Sequence, residues 1–189
     1  MTNAETTLSD AQIAALARRI DRPIVLVGMM GVGKSTVGRK LASLLHMPFA
    51  DADEEIEEAA QMPVSEIFER FGEPYFRDGE RRVIARLVGE QPAVIAAGGG
   101  AFCQEETRKL LLEKAITVWL DCDTDTLVER VGRKDSRPLL RGGDPREIIS
   151  RLKQEREPHY AQAPIHIMSK AGPHQQTAMR ILKAIDQWQ

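Results

Sequence analysis

The chain has 189 residues, 42% of them hydrophobic, and a net charge of −2. That length and apolar content suit one domain, residues 1–189, with a sizeable core. The near-neutral balance gives no field to attract nucleic acid or an anionic membrane. No apolar run is long enough to cross a bilayer, and no N-terminal stretch reads as a signal peptide. The two cysteines, Cys103 and Cys122, form no metal-binding pattern, so a cytoplasmic, reducing environment is expected.

Residues 1–7 are polar and are expected to be loose. Leu8 to Ile20 reads as an amphipathic helix: Ser9 caps it, Gln12 closes a capping box, and Ile13, Leu16 and Ile20 share a face. This helix, within an extension over residues 1–21, is expected to pack on the outside of the domain. Five short apolar runs then read as strands, at 23–27, 48–50, 93–97, 116–120 and 164–168. Helical patterns separate them at 34–45, 53–71 in pieces, 73–89, 104–114, 124–131, 145–156 and 174–187. Alternation of this kind predicts an α/β fold, a five-stranded parallel sheet covered by helices on both faces. Ligands in such sheets bind beyond the carboxyl ends of the strands. The segments that follow strands are therefore the candidate site: Gly28–Ser35, Asp51–Asp53, Gly98–Gly100 and Asp121–Asp123.

Gly28 to Thr36 fits the G-x-x-x-x-G-K-[ST] phosphate loop, and it stands between a strand and a helix, as that loop requires. Backbone N–H groups from Gly31, Val32, Gly33, Lys34, Ser35 and Thr36 are expected to converge on phosphate, aided by the helix N-terminus. Lys34 can reach the β- and γ-phosphates, and Ser35 can offer its hydroxyl to Mg²⁺. After the second strand comes Asp51-Ala-Asp53. Asp53 reads as the N-cap of the following helix, with Glu54, Glu55, Glu57 and Glu58 as acids suited to its first turns. Two aspartates at a strand end can also divide other work. One can hold Mg²⁺ through water, and the other can accept a hydrogen bond from a substrate hydroxyl.

The triple glycine Gly98–Gly100 suits either a flexible turn or a close backbone approach to a ligand. Arg77, beside Phe76 and just after Pro74, reads on its own as one half of a surface pair with Glu73 or Glu80. Residues Arg130 to Arg156 hold nine basic and four acidic side chains. Within them Lys134 to Gly143 has turn chemistry and reads as a lid carrying arginines, with Gly142-Gly143 as one hinge. Asp144-Pro145 restarts a helix with a cap and a first-turn proline. The four histidines form no ligand spacing and are read as structural, and Trp119 and Trp188 are read as packing residues.

In this order the stations resemble the shikimate kinase family over roughly residues 22–187. The resemblance rests on Gly28–Thr36, Asp51-Ala-Asp53, Gly72-Glu73-x-x-Phe76-Arg77-x-x-Glu80, Gly98–Gly100, Arg137-Pro-Leu-Leu140 and Arg156-Glu-Pro-His-Tyr160. It implies a three-layer P-loop kinase fold of the nucleoside monophosphate kinase-like kind, with a helical substrate-binding region over 52–89 and a lid over 131–143. The activity it implies is MgATP-dependent phosphorylation of the 3-hydroxyl of shikimate, in the route to chorismate and the aromatic amino acids. By the same resemblance Lys34, Asp53 and Arg137 are catalytic, and Ser35 and Asp51 serve the metal. Arg77 and Arg156 pair with the shikimate carboxylate, Phe68 and Phe76 flank the ring, and the backbone of Gly98, Gly99 and Gly100 closes on the substrate. Arg130 is implied to lie over adenine and Arg137 to reach the transferred phosphoryl group. The Met168–His174 loop matches no adenine-binding pattern. Shikimate and ATP are the expected partners, without nucleic acid or membrane, and a monomer is expected because no long apolar face is exposed. The competing readings are a gluconate or nucleoside monophosphate kinase, which shares loop and lid, and a catalytically silent nucleotide-binding module.

Overall fold

A computed structural model describes residues 7–132, 142–169 and 172–189. Five strands, β1 (Ile24–Val27), β2 (Phe49–Asp51), β3 (Val94–Ala96), β4 (Ile116–Asp121) and β5 (Ile165–Met168), form one parallel sheet ordered β2-β3-β1-β4-β5. Ile24 pairs with Val94 on one side and Ile116 on the other, which places β1 at the centre. Every residue of β1, β3 and β4 is buried, whereas the edge strands β2 and β5 are only partly covered. This is the continuous apolar reading of a sheet clothed on both faces. The strand order reverses direction at β1, and a crevice opens beyond its carboxyl end at such a point.

Among the described residues eight α-helices surround the sheet: α1 (Asp10–Arg19), α2 (Lys34–Leu45), α3 (Ala52–Ala60), α4 (Val64–Gly89), α5 (Glu105–Lys114), α6 (Thr124–Val131), α7 (Pro145–Tyr160) and α8 (His174–Trp188). The capping box on α1 forms as expected, with Ser9 and Gln12 bonded reciprocally, and Ile13, Leu16 and Ile20 are buried. α1 packs on α2, and Arg19 also pairs with Asp186 of α8.

Three expectations need correction, while the helix break expected near residue 72 forms: Gly72 is non-helical and joins the two halves of α4 at a kink, with a φ of 79° that only glycine adopts without strain. Pro74 follows in the first turn beyond that kink, where its missing N–H costs no hydrogen bond. α7 continues past residue 156 to Tyr160, so Arg156 lies inside a helix rather than at its end. Asp51, not Asp53, caps α3: its carboxylate accepts from the N–H groups of Asp53 and Glu54, because the helix already starts at Ala52. Trp119 is buried as expected, but Trp188, the last residue of α8, is 45% exposed.

The turn after β1 is sterically demanding. Gly28 has φ of 137°, and a β-carbon there would run into the Leu120 carbonyl of β4. Gly79, in α4, has nothing within 4 Å of its virtual β-carbon. Gly28→Ala is therefore expected to destabilise the protein by about 3 kcal/mol. Gly79→Ala should be neutral or stabilising by roughly 0.5–1 kcal/mol. Urea unfolding of the two variants measures both, and a Gly28→Ala midpoint equal to wild type contradicts the steric account.

Candidate active site

The phosphate loop joins β1 to α2. Gly33, with φ of 101°, is the N-cap of α2, so the first free N–H groups of the helix open into the loop. Lys34 is nearly buried, and its ammonium donates to the carbonyls of Gly28 and Met29, each at 2.8 Å. These bonds hold the charge across the loop opening. The far side of the loop rests on α6. A β-carbon on Gly31 would come within 2.8 Å of Val131, and the Arg130 guanidinium donates to the Val32 carbonyl at 3.1 Å. Thr36 stands exposed on the first turn of α2.

The Ser35 hydroxyl donates to the Asp51 carboxylate, a contact that joins loop and β2. These are hard oxygen donors beside a lysine ammonium. Among the described residues no group of three or more His, Cys, Asp or Glu side chains could cage a metal ion. This donor set fits Mg²⁺, which keeps several waters and takes phosphate oxygens in place of a full protein shell.

Asp53 follows on the first turn of α3. It is exposed to solvent, yet protein atoms are dense around its carboxyl. That burial raises its pKa, as does the charge of Asp51, while Lys34 and Arg77 act the other way. Because Asp51 takes the capping role, the Asp53 carboxylate is left for the cleft.

The opposing wall comes from α4. The Arg77 side chain is only 12% exposed and the Glu80 side chain 2%, and they meet at 2.8 Å. Arg77 also takes two bonds from its guanidinium to Glu73, at 3.1 and 3.3 Å. The pairing expected on the surface therefore exists, but inside the molecule. Burial pushes the Glu80 carboxyl above its ordinary range, more than the neighbouring Arg77 pulls it down. Arg77 stays charged at any working pH. Glu80 Oε2 is buried without a hydrogen-bond partner. The Phe68 and Phe76 rings sit 4.6 Å apart across the Gly72 kink, and the Arg77 guanidinium lies 5.2 Å from the Phe76 ring centre.

The glycine turn after β3 closes the arrangement. A β-carbon on Gly98 would stand 2.6 Å from Glu80 Oε2 and 3.1 Å from Asp53 Oδ1. On Gly99 it would stand 3.3 Å from Arg156 Nη1, and on Gly100 it would strike the Arg77 guanidinium. The three glycines are thus where charged side chains from α3, α4 and α7 converge. Arg156 is 8% exposed, and its Nη1 has no hydrogen-bond partner.

Lys34, Ser35, Asp51, Asp53, Arg77, Gly98–Gly100 and Arg156 accordingly share one rim of the sheet. Arg137 and most of the lid fall outside the described residues. Asp121, expected to face the nucleotide, instead bonds Lys153 at 3.1 Å and lies 3.4 Å from His166, which stacks on Trp119. Three neighbours of the site were not assigned roles from the sequence: Glu80, Tyr160 and His174. Glu80 was visible as a spacing partner of Arg77 and as a motif residue, without a role of its own. Tyr160 stands four residues after Arg156, hence on the same helix face. The His174 ring lies near Gly33, 3.8 Å from the position its β-carbon would take, a long-range proximity that no local pattern encodes.

A parallel sheet of this order, with a phosphate loop after the central strand and a carboxylate after the next, is that of a P-loop kinase acting on a small molecule. The model of the shikimate kinase family matches residues 30–186. A shikimate kinase of Novosphingobium aromaticivorans is 69% identical over 96% of this chain and 96% of its own length. One from Zymomonas mobilis is 55% identical, covering 87% of this chain and 93% of that protein. The solved structure of Acinetobacter baumannii shikimate kinase in complex with shikimate superposes with a TM-score of 0.88 at 36% identity, over 92% of this chain and 97% of that one. The chain belongs to the shikimate kinase family. Gluconate and monophosphate kinases are thereby set aside as its family.

The raised pKa of Asp53 has a consequence for stability. A carboxyl raised above its unfolded value favours the folded state when protonated. That contribution is complete below the ordinary value of 3.8 and is lost as pH rises through the folded-state value. At neutral pH the ionised side chain is therefore a cost. Asp53→Asn is expected to raise the melting temperature at pH 7, with the gain shrinking to nothing near pH 3. A variant less stable than wild type at pH 7 in thermal scans contradicts this.

Proposed function

We propose that this cleft transfers the γ-phosphoryl group of ATP to the 3-hydroxyl of shikimate, giving shikimate 3-phosphate and ADP in aromatic amino acid biosynthesis. The observation that carries the assignment of roles is the convergence on the glycine turn. Two guanidinium groups, Arg77 and Arg156, and one accessible carboxylate, Asp53, meet there at the mouth of the phosphate loop. A hydroxylated carboxylic acid needs such a set: an anion clamp and a hydroxyl acceptor.

In this reading Arg77 and Arg156 hold the substrate carboxylate. The unpartnered Arg156 Nη1 supports it, since a buried guanidinium N–H without an acceptor gains most from an arriving anion. Phe68 and Phe76 form the apolar wall for the ring, and the backbone of Gly98–Gly100 approaches it closely. Asp53 accepts the hydrogen bond of the reacting hydroxyl, orients it towards the γ-phosphorus and takes its proton. A carboxylate whose proton affinity is raised is the better acceptor for that step. Lys34 and the loop N–H groups of Gly31–Thr36 stabilise charge on the β- and γ-phosphates, and Ser35 and Asp51 would hold Mg²⁺. When bound, that ion neutralises charge on the phosphate oxygens. Arg130 lies over the adenine, and Arg137 is the lid arginine that meets the transferred group. The same reading takes one domain, with 52–89 as its substrate-binding region and 131–143 as its lid, acting as a cytoplasmic monomer. No helix among the described residues is long and apolar enough to cross a membrane, which fits that setting.

ADP release measured with shikimate, gluconate and the common nucleoside monophosphates tests the substrate assignment. Turnover of shikimate alone is expected, and turnover of gluconate or a monophosphate without shikimate overturns it. Asp53→Asn should bind ATP nearly as wild type while kcat falls by roughly 10²–10⁴-fold, the span of a lost general base. A near-wild-type kcat removes Asp53 from the chemistry. Arg77→Lys retains a positive partner for buried Glu80 but loses the fork. It is expected to raise the shikimate KM roughly tenfold or more, the scale of a hydrogen bond to a charged group, with the ATP KM nearly unchanged. Equal shifts in both KM values place Arg77 away from the acceptor.

A further inference from the structure

Tyr160 is the last residue of α7, one turn after Arg156 on the same face, and it is 1% exposed. Its ring lies 6.0 Å from that of Trp119, centre to centre. Its hydroxyl donates to the Gly99 carbonyl and stands 3.9 Å from the Met29 sulfur. One phenol therefore touches the acceptor-side turn and the phosphate loop while belonging to the helix that carries Arg156.

The bond has a directional consequence. The Gly99 carbonyl and the Gly100 N–H belong to one planar trans peptide and point in opposite directions. Holding the carbonyl towards Tyr160 fixes the N–H away from it. A stretch of three glycines has little side-chain packing to choose one peptide orientation over another, so an external anchor is needed to select one. Burial pushes the Tyr160 hydroxyl well above the usual phenol range, outweighing the opposite pull of the Arg156 charge. It remains a donor throughout the working pH range, and the anchor does not titrate away.

Resting on the shikimate reading of the cleft, we propose that Tyr160 is a positioning residue for the acceptor. Its hydroxyl sets the Gly99–Gly100 peptide and its place on α7 sets Arg156, so turn and guanidinium meet the substrate in a fixed relation. Tyr160 touches no reacting atom in this assignment. Its effect is on the affinity for the acceptor and not on the donor.

The test is Tyr160→Phe in the full chain, which keeps the ring against Trp119 and deletes only the hydroxyl. The shikimate KM is expected to rise about three- to tenfold, the equivalent of one hydrogen bond, with the ATP KM within about twofold of wild type. Trp119→Phe serves as the packing control: it should lower the melting temperature and leave the shikimate KM unchanged. An unchanged shikimate KM in Tyr160→Phe, or equal rises in both KM values, overturns the proposal. Absence of shikimate turnover in wild type would instead overturn the reading of the cleft on which it rests. A second measurement needs no change at position 160 beyond fluorine. The chain has two tyrosines, Tyr75 and Tyr160, so 3-fluorotyrosine labelling of Tyr75→Phe reports on Tyr160 alone. Its ¹⁹F resonance is expected to move on adding shikimate, and a resonance that shikimate leaves in place contradicts the positioning role.

Discussion

Arg77 and Glu80 meet at 2.8 Å in a part of the molecule from which water is nearly excluded. Placing two charges there costs several kcal/mol per ion in desolvation, and their attraction offsets it only when geometry and further hydrogen bonds are good. Arg77 has those bonds, through Glu73, while Glu80 keeps one oxygen without a partner. The pair is incompletely satisfied, and the unsatisfied atom faces the turn at Gly98. Much of the surrounding construction follows. The turn has to be glycine so that backbone can pass beside these groups, and α4 has to kink at Gly72 for its second half to start where Arg77 points inward. α7 has to run past residue 156 so that Arg156 arrives as a second buried guanidinium.

The two halves of the site differ in how they hold charge. On the donor side the work falls to backbone: the amides of the loop, a helix N-terminus, and carbonyls that park the Lys34 ammonium. These are fixed by the sheet, since Gly28 leaves no space between β1 and β4. On the acceptor side, side chains from three different helices converge on a turn that has none. That half is adjustable, because its geometry depends on how α3, α4 and α7 pack. A rigid phosphate cradle facing a helix-built acceptor wall is an arrangement in which acceptor specificity can change without disturbing nucleotide binding.

Local chemistry made most of the fold legible. Strand runs, the capping box at Ser9, the cap at Asp144 and the loop at Gly28–Thr36 are each specified within a few residues, and each forms as read. What resisted was information carried by distance in space. The Arg77–Glu80 spacing was visible, but helical spacing cannot say whether a pair faces water or protein. Tyr160 stood in a recognised motif, yet its bond partner, Gly99, lies 61 residues away. Trp188 shows the converse error: it was read as a packing residue, yet at the last position of α8 it is 45% exposed.

The cap of α3 shows how a two-residue error can conceal function. Read as a helix cap, Asp53 would have its carboxylate tied to backbone N–H groups, and such bonds favour the charged form and lower the pKa. With Asp51 in that place, Asp51 carries three duties at once: strand end, helix cap and acceptor of the Ser35 hydroxyl. Asp53 is then relieved of backbone bonding and takes the opposite shift, upward, from burial and from Asp51 itself. Two aspartates separated by one alanine thus meet different surroundings at the start of one helix. In the proposed function the one tied down serves the metal and the one left free serves the hydroxyl.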